Sequence, residues 1–583
     1  MAWRMTRNNI SSCIRPLRVG PRSSYLHQLV NALGTKASES DLNCHEDFFR
    51  YTSGRFLMNE AEQLAQRYRK FSVEGLKAAA VSAIPGGLYC TSFTKLGEGG
   101  FNKAFLLSVA TSSGSKDIVA KIPHPCAGPA HNLTASEVAT LDFCRTVLEL
   151  PVPQVLGWSS CADSTAVGAE YILMERAEGV QLVDRWDGFA LKDMLTFEED
   201  LLKVQARMLE TRFGANGSLY YRNDIPESQQ HPGPLITHQS KELLSVSNAD
   251  LERWCIGPTA DRDFYSQGKD VLNINRGPWG DAQSYTQSIV DRQIKWFQES
   301  PPSPRPPNHP FHRLDSQEDQ QAHITLLRRF SSMLQILLPS DPRLTAPVLA
   351  HEDLHCGNIF VTTEGTPSIT CLIDWQGMSL KPLFMQARLP LAVDRLGIGL
   401  CDRPTGLDPK WVPNDMSEED WKTAAAEFMA DYAQFEYQGK LNDVAPDYVR
   451  ALASPGYNAI VRAISTAGNT YSTEIYPDIW RLRNHMKVIS EQWDRLENPQ
   501  PCPVSFSAEE LEDHEGERTE FETVAKQLEI FEKYLGMKSD GWVDSRDYDR
   551  SVEASKELRE LYESTMKDSL TAEELKKYWL VEV

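Results

Sequence analysis

Two carboxylates and one amide in the second half of the chain are spaced for phosphoryl transfer. Asp353 and Asn358 stand five residues apart, and Asp374 follows an apolar run sixteen residues after Asn358. Phosphoryl transfer needs a carboxylate that orients and deprotonates the attacking hydroxyl, and oxygen ligands for a Mg²⁺ ion that bridges the nucleotide phosphates. The spacing predicts Asp353 as the catalytic base and Asn358 and Asp374 as Mg²⁺ ligands.

A lysine and a glutamate upstream are candidates for the nucleotide site. Lys121 ends the run Ile-Val-Ala-Lys, which resembles the kinase strand whose lysine contacts the α and β phosphates of ATP. Glu137, sixteen residues later, is the predicted partner of that lysine. Two alternatives stay open: Lys121 as an exposed lysine at a strand end, and Glu137 as the last residue of a capping box that starts at Thr134.

Glycines and a hinge complete the predicted ATP site. Gly97 and Gly99 lie in a loop between two apolar runs, where backbone N–H groups can approach phosphates. Asn102 stands where the third glycine of the kinase pattern would be, so a plain hairpin turn is the alternative. Glu175 and Ala177 lie in a segment that resembles the kinase hinge, whose backbone holds adenine.

The catalytic segment carries a family resemblance. Residues 351–359 read His-Glu-Asp-Leu-His-Cys-Gly-Asn-Ile, and residues 372–375 read Leu-Ile-Asp-Trp. They resemble the aminoglycoside phosphotransferase and choline kinase family, whose motifs read His-Gly-Asp-Leu-His-x-Gly-Asn-Ile and Ile-Asp-Trp, and Glu352 departs from the usual glycine. The resemblance implies a protein-kinase-like fold, ATP and Mg²⁺ as cofactors, and a small-molecule phosphate acceptor.

The same letters also match the zinc-peptidase pattern H-E-x-x-H. That chemistry needs a continuous helix that brings His351 and His355 to one zinc ion. Pro347 precedes the motif and Gly357 follows it, so a long helix is not expected. Both histidines are therefore predicted to support the loop by hydrogen bonding, and a zinc metallopeptidase is kept as a remote alternative.

Segments outside these motifs extend the resemblance to a fungal mitochondrial branch of the superfamily. It covers nearly the whole chain after residue 45 and implies a mitochondrial location. The segments that carry it are 49–56, 217–221, 256–259 and 276–279.

The pattern of apolar residues predicts an α+β protein with a helical C-terminal extension. The strands around one helix resemble the small lobe of a protein kinase, and the resemblance implies a two-lobed, protein-kinase-like fold with a small β-rich N-lobe and a larger helical C-lobe. Strands are predicted at 92–96, 101–109, 118–122 and 171–174, with a helix between the last two. The predicted divisions are a leader at 1–40, a helical segment at 41–90, the N-lobe at 91–178, the C-lobe at 179–500 with an insertion around 225–320, and a solvated helical extension at 501–583.

Charge and composition exclude several classes of protein. The chain has 583 residues and a net charge of −21, and its first six charged residues, Arg4 to Lys36, are all basic, which leaves −27 for the remainder. So acidic a body repels phosphate backbones and excludes nucleic acid as a partner. The acid-free, Arg-rich leader is typical of a mitochondrial transit peptide, with a disordered basic tail as the alternative. No apolar run is long enough to cross a bilayer.

The sequence therefore favours an ATP- and Mg²⁺-dependent phosphotransferase that acts on a small molecule. A catalytically silent, nucleotide-binding scaffold in mitochondrial maintenance is the alternative. A protein kinase is disfavoured because no Ala-Pro-Glu signature follows Asp374. The eleven cysteines contain no C-x-x-C pair and are expected to be reduced, structural thiols.

Overall fold

The structure is a computed structural model that describes residues 46–238, 248–299, 317–394, 399–405, 417–468, 478–496 and 500–566. The leader predicted at 1–40 and the Pro-rich stretch at 301–307 lie outside the described residues. Among the described helices, none is long and apolar enough to span a membrane.

Strands and short helices alternate in the first half of the chain, and longer helices dominate the second. The described helices are α1 (Glu46–Phe49), α2 (Glu60–Arg67), α3 (Val73–Ala83), α4 (Asn132–Thr146), α5 (Leu191–Glu210), α6 (Asn248–Leu251), α7 (Ala282–Glu299), α8 (Gln317–Leu337), α9 (Pro342–Thr345), α10 (Leu383–Gln386), α11 (Glu418–Val444), α12 (Pro446–Ala453), α13 (Pro455–Gly468), α14 (Asp478–Glu491), α15 (Ala508–Leu535) and α16 (Tyr548–Met566). The described strands are β1 (Gly54–Phe56), β2 (Gly87–Glu98), β3 (Asn102–Thr111), β4 (Gly114–Pro123), β5 (Val155–Ser159), β6 (Tyr171–Glu175), β7 (Val180–Gln181), β8 (Arg212–Phe213), β9 (Ser218–Tyr221), β10 (Ile236–His238), β11 (Trp254–Gly257), β12 (Pro347–Val348), β13 (Ile359–Val361), β14 (Ile369–Leu372), β15 (Lys381–Pro382) and β16 (Trp542–Asp544).

The small lobe is built on a five-stranded antiparallel sheet in the order β2-β3-β4-β6-β5. Alternate residues of its central strands are buried, as the two-residue period of a strand requires. Their buried side chains pack against α3. The predicted strands all appear, but β2 begins at Gly87, ahead of the predicted lobe boundary at residue 91, and β5 was not predicted.

The large lobe packs its helices around one extensive apolar cluster. Helix α5 contributes a stripe at helical spacing, with Phe197, Leu201 and Met208 buried. The described residues of the insertion predicted around 225–320 do not all lie at the surface of the lobe. Trp254 of β11 and Val290 of α7 are fully buried in the same cluster, so this part of the chain belongs to the core.

The two ends of the described chain pair with one another. Within the helical segment predicted at 41–90, residues 68–72 separate α2 from α3, and residues 54–56 form strand β1. Strand β1 pairs antiparallel with β16, and Leu57 shares a buried apolar cluster with Phe531, Val543 and Leu558. The extension is therefore not the solvated helical appendage that its periodicity predicted. We call residues 51–57 and 541–545 the terminal clasp.

These features give an α+β, two-lobed architecture of the protein-kinase type, as the sequence predicted. The five-stranded sheet forms the small lobe, and the apolar cluster of the large lobe includes Phe143 of α4 and, from the segment around Asp353 and Asp374, Leu354 and Trp375. Strands β13 and β14 lie between Asn358 and Asp374 in the chain, and β13 pairs both with β14 and with β7, which follows the predicted hinge. The site is therefore formed where the two lobes meet.

Candidate active site

The loop that carries Asp353 is stabilised by hydrogen bonds among its own backbone and side-chain groups. His355 N–H donates to the Asp353 carbonyl at 3.0 Å, and Asn358 N–H donates to the His355 carbonyl at 2.9 Å. The Asn358 side-chain amide also donates to the Asp353 carbonyl, at 2.9 Å. The loop is thus a set of turns before β13, and the Asp353 carboxylate is left 56% exposed.

Both histidines of the loop are engaged in structural hydrogen bonds. His351 is buried, donates from Nε2 to the Ile373 carbonyl at 2.9 Å, and packs edge-on against Trp375. Gly357 N–H donates to Nδ1 of His355 at 2.9 Å. Burial lowers the pKa of His351 and so favours the neutral imidazole. Residues 351–355 are not helical, so the arrangement that a zinc peptidase needs is absent from this described segment.

Backbone pairing brings the two predicted metal ligands to the same place. Ile373 N–H donates to the Asn358 carbonyl at 3.0 Å, and Ile359 is the register partner of Leu372. Asp374 follows β14 with a positive φ of 65°, a conformation that is uncommon for residues other than glycine. The antiparallel β13–β14 pair therefore sets Asn358 and Asp374 side by side.

Lys121 joins the two lobes through a pair of carboxylates. Its Nζ lies 2.6 Å from Oε1 of Glu137 and 2.7 Å from Oδ1 of Asp374. Burial by itself disfavours the lysine charge, but Asp374 and Glu137 outweigh burial and raise the pKa of Lys121. Burial raises the pKa of Glu137, whereas for Asp374 burial is outweighed by Lys121, which lowers the pKa of that carboxyl. The exposed strand-end alternative for Lys121 is wrong, since its side chain is only 12% exposed.

The capping-box alternative for Glu137 is also wrong. Helix α4 begins at Asn132 after His131, so Thr134 lies inside the helix. The Thr134 hydroxyl donates to Oε2 of Glu170 at 2.7 Å. Glu137 is buried on the same helix, and its carboxylate is directed to Lys121.

The predicted glycine loop is a hairpin, in which Gly97 and Glu98 are the last residues of β2 and residues 99–101 form the turn into β3. We call residues 97–102 the glycine loop. A side chain at Gly97 or Gly99 would meet no atom within 4 Å, so protein packing does not explain these glycines. Gly99 N–H donates to the Asn102 carbonyl at 2.9 Å. The Asn102 side chain donates to Gln376, so the residue that replaces the third glycine links the loop to the segment after Asp374.

The hinge residues make few side-chain contacts toward the cleft. The Glu175 carboxylate accepts from Gln154 N–H at 3.3 Å and lies 3.5 Å from Arg145. Ala177 is partly buried.

Gly179 has a φ of 89°, and a Cβ there would lie 2.1 Å from the Val361 carbonyl oxygen, so the chain passes against β13 where only glycine fits. Neither Gly179 nor Gln376 was singled out from the sequence.

The unusual Glu352 has a partner that sequence reasoning missed. Lys381 Nζ lies 2.5 Å from Oε1 of Glu352 and 3.3 Å from Oδ2 of Asp261. Burial disfavours a charged lysine, but Glu352 and Asp261 outweigh burial and raise the pKa of Lys381 well above its ordinary value. The charge of Glu352, next to Asp353, is therefore neutralised within the protein. Lys381 lies far from the motif in sequence, and no local signal marks it.

Comparison with known proteins identifies the family. A model of the phosphotransferase enzyme family matches residues 93–385, about half of the chain, and includes all the residues predicted for the site. The chain belongs to the phosphotransferase enzyme family. The match begins in β2 and ends in α10, so the terminal clasp lies outside the family match.

Several relatives in this family are fungal. A subtelomeric hrmA-associated cluster protein of Aspergillus fumigatus is 29% identical over 81% of this chain and 93% of its own length. A protein of Clavispora lusitaniae named altered inheritance of mitochondria protein 9, mitochondrial, is 25% identical over 92% of this chain and 93% of its own length. A Komagataella phaffii protein of the same name is 24% identical over 85% of this chain and 87% of its own.

Solved structures with similarity to the chain are small-molecule kinases. The streptomycin–ATP–APH(2")-IIa ternary complex has a TM-score of 0.29 and 11% identity, over 69% of this chain and 92% of the other. Choline kinase from Cryptosporidium parvum has a TM-score of 0.30 and 10% identity, over 73% of this chain and 97% of the other.

Proposed function

We propose that this protein is an ATP- and Mg²⁺-dependent phosphotransferase that transfers a phosphoryl group to a hydroxyl of a small molecule in mitochondria. The observation that carries the proposal is the bridge from Glu137 through Lys121 to Asp374, at 2.6 and 2.7 Å. Membership of the phosphotransferase family supports it. A catalytically silent scaffold has no chemical need for this bridge beside an exposed Asp353.

The residues near Asp374 fit a Mg²⁺ ion. Oδ1 of Asp374 is bound to Lys121, and no described residue donates a hydrogen bond to its second oxygen. The Asn358 amide nitrogen is used by the Asp353 carbonyl, which leaves its oxygen as the available ligand atom. A carboxylate and an amide oxygen, supplemented by phosphate oxygens, form the kind of donor set that Mg²⁺ prefers. When bound, the ion would neutralise charge that develops on the transferred phosphoryl group.

The remaining roles follow from where the protein groups lie. Lys121 would bind the α and β phosphates, with Glu137 fixing its position. Gly97 and Gly99 carry no side chain and have open space around them, so the phosphates would be able to approach the loop backbone, and the backbone around Glu175 and Ala177 would hold adenine. The exposed Asp353 carboxylate would orient the acceptor hydroxyl and take its proton.

The small-molecule acceptor and the mitochondrial location rest on relatives. The acceptor class comes from the resemblance of residues 351–359 to the aminoglycoside phosphotransferase and choline kinase family, and several sequence relatives are named as mitochondrial proteins. An Arg-rich leader agrees with that location.

Thermal unfolding with and without Mg²⁺-ATP tests the nucleotide site. At 100 times its dissociation constant, the ligand should stabilise wild-type protein by about 2.7 kcal/mol. The gain should require Mg²⁺ and should be lost in Asp374→Ala, because that variant removes a metal ligand. The matched control is Asp443→Ala, which changes an exposed aspartate of α11. No stabilisation of wild type at saturating nucleotide would contradict the proposal.

A further inference from the structure

Glu98 belongs to the glycine loop, but its side chain forms hydrogen bonds with residues outside the loop. Its side chain is fully buried. Oε1 accepts from the Thr52 hydroxyl and from Ser53 N–H, both at 2.8 Å, and from Thr52 N–H as well. The loop residue between Gly97 and Gly99 is therefore held by the terminal clasp, which lies outside the family match.

Lysines neutralise the buried carboxylate. Lys95 Nζ lies 2.8 Å from Oε2 of Glu98, and Lys103 Nζ lies 3.8 Å from the same atom. Burial opposes ionisation of Glu98, but Lys95 and the Thr52 donors outweigh burial and hold the pKa of Glu98 below its ordinary value. The loop thus keeps its glutamate ionised and paired, and does not present an unbalanced negative charge to a phosphate.

A histidine couples the same network to the loop backbone. Lys103 Nζ donates to Nδ1 of His124 at 3.1 Å and to the Arg67 carbonyl at 2.7 Å. Because Nδ1 accepts, Nε2 carries the proton, and it donates to the Gly99 carbonyl at 3.2 Å. Burial lowers the pKa of His124 to about 3, consistent with a neutral ring. The backbone immediately after Glu98 is therefore bonded to the same network that neutralises the Glu98 carboxylate.

The clasp that anchors Glu98 is itself completed by the C-terminal extension. Ser545 Oγ donates to the Thr52 carbonyl at 3.0 Å, and Trp542 Nε1 donates to the Tyr51 hydroxyl at 2.8 Å. Lys95 also donates to the Thr52 hydroxyl at 2.9 Å. Residues near both ends of the described chain thus meet at the glycine loop.

We propose that Glu98 is a positioning residue, through which the terminal clasp fixes the glycine loop in the shape that binds the phosphates of a nucleoside di- or triphosphate. The inference rests on the proposed function, since it assigns the phosphates to this loop. It predicts that the clasp contributes to recognition of phosphates and not of adenosine. The hinge, which would hold the base, has no contact with the clasp among the bonds described.

Calorimetric binding of Mg²⁺-ATP and of adenosine to the full chain tests this inference. Glu98→Gln keeps the shape of the side chain but removes its charge, and should weaken Mg²⁺-ATP binding roughly tenfold while adenosine binding stays unchanged. Ser545→Ala, a milder change in the clasp, should weaken Mg²⁺-ATP in the same direction by a smaller factor. Ser545→Ala also tests the inference if Glu98→Gln does not fold.

Glu74→Gln is the matched control. Glu74 pairs with Lys77 on α3 at 2.7 Å, and none of its described bonds reaches the clasp or the glycine loop, so this variant should bind both ligands as wild type does. Equal Mg²⁺-ATP affinity in wild type, Glu98→Gln and Ser545→Ala would overturn the inference and leave the proposed function standing. Parallel losses of ATP and adenosine binding would show a general structural role and also overturn it. Failure of wild type to bind Mg²⁺-ATP would overturn the proposed function and the inference with it.

Discussion

Lys121 holds together two carboxylates that would otherwise repel each other. Glu137 is buried, and Asp374 reaches the same ammonium group from the other lobe. A buried ion pair stabilises little in total, but removal of one partner leaves an uncompensated charge. Under the proposed function, nucleotide binding and folding stability depend on the same three side chains, and suitable variants separate the two effects.

We expect Lys121→Met to lower stability by about 3 kcal/mol, because it leaves Glu137 buried without its counter-charge. The double variant Lys121→Met with Glu137→Gln should recover most of that loss but should still not bind Mg²⁺-ATP. Chemical denaturation and calorimetry measure the two properties. Lys116→Met, an exposed change on the same strand, should affect neither. Equal stability of the single and double variants would contradict this account.

Local sequence patterns mark the candidate site residues but not all of the side chains that they contact. A fixed local spacing marks Asp353, Asn358 and Asp374 as candidates, and their roles in the site stay predictions. The capping-box alternative for Glu137 depended on where α4 begins, and tertiary packing places that start at Asn132. The Glu352–Lys381 pair joins residues from separate elements, and local spacing carries no signal for such a contact.

Helices α5 and α11 pack against each other with an acidic residue between them. Glu198 lies on the buried face of α5, between Phe197 and Leu201. Burial raises the pKa of Glu198 to about 8, only partly opposed by Lys440 on α11. The folded protein therefore binds a proton at this carboxyl, in a pH range where the unfolded chain has released it.

This protonation makes stability depend on pH with a definite sign. Between the ordinary carboxyl pKa and about 8, the folded state holds more protons than the unfolded state, so Glu198 lowers stability as pH rises, by about 1.4 kcal/mol per pH unit. We expect Glu198→Gln to remove this slope. Its advantage over wild type in chemical denaturation should grow from pH 5.5 to pH 7.5. Glu199→Gln, at the exposed neighbour, is the control, and parallel pH profiles for wild type and Glu198→Gln would disprove the assignment.

Elements with strong periodicity were predictable, and short paired ones were not. Strands β3 and β4 alternate buried and exposed residues over several positions, so the two-residue period found them. Strands β1 and β16 have three residues each, and each forms because the other is present. Their pairing joins distant parts of the chain, which local patterns do not report.

At the scale of the whole molecule, the terminal clasp joins a segment before the N-lobe to a segment of the C-terminal extension. Val543 is fully buried beside Leu57 and Leu558, so the extension and the segment before the N-lobe share one small core. Helix α3 packs separately, on the sheet. The glycine loop is therefore supported both by the sheet from which it emerges and by the clasp.

We expect Val543→Asp to open the clasp, because it buries an unpaired charge. Backbone amides at 51–57 should then exchange with deuterium faster, and amides in β13 and β14 should not. Ile530→Asp makes the same change at a 40% exposed position of α15 and should leave exchange unaltered. Unchanged protection of 51–57 in Val543→Asp would contradict the role given to the clasp.

Transfer of phosphate from ATP to a small-molecule alcohol tests the central claim most directly. The measurement is ³¹P NMR of wild-type protein with Mg²⁺-ATP and pooled low-molecular-weight metabolites extracted from fungal mitochondria, repeated with Asp353→Asn and with the exposed control Asp163→Asn. The account predicts a new phosphate monoester signal with wild type and control. Its rate should fall on the order of 10²–10⁴-fold in Asp353→Asn, while Mg²⁺-ATP affinity is retained. Binding of Mg²⁺-ATP without any monoester, or equal rates in wild type and Asp353→Asn, would contradict it.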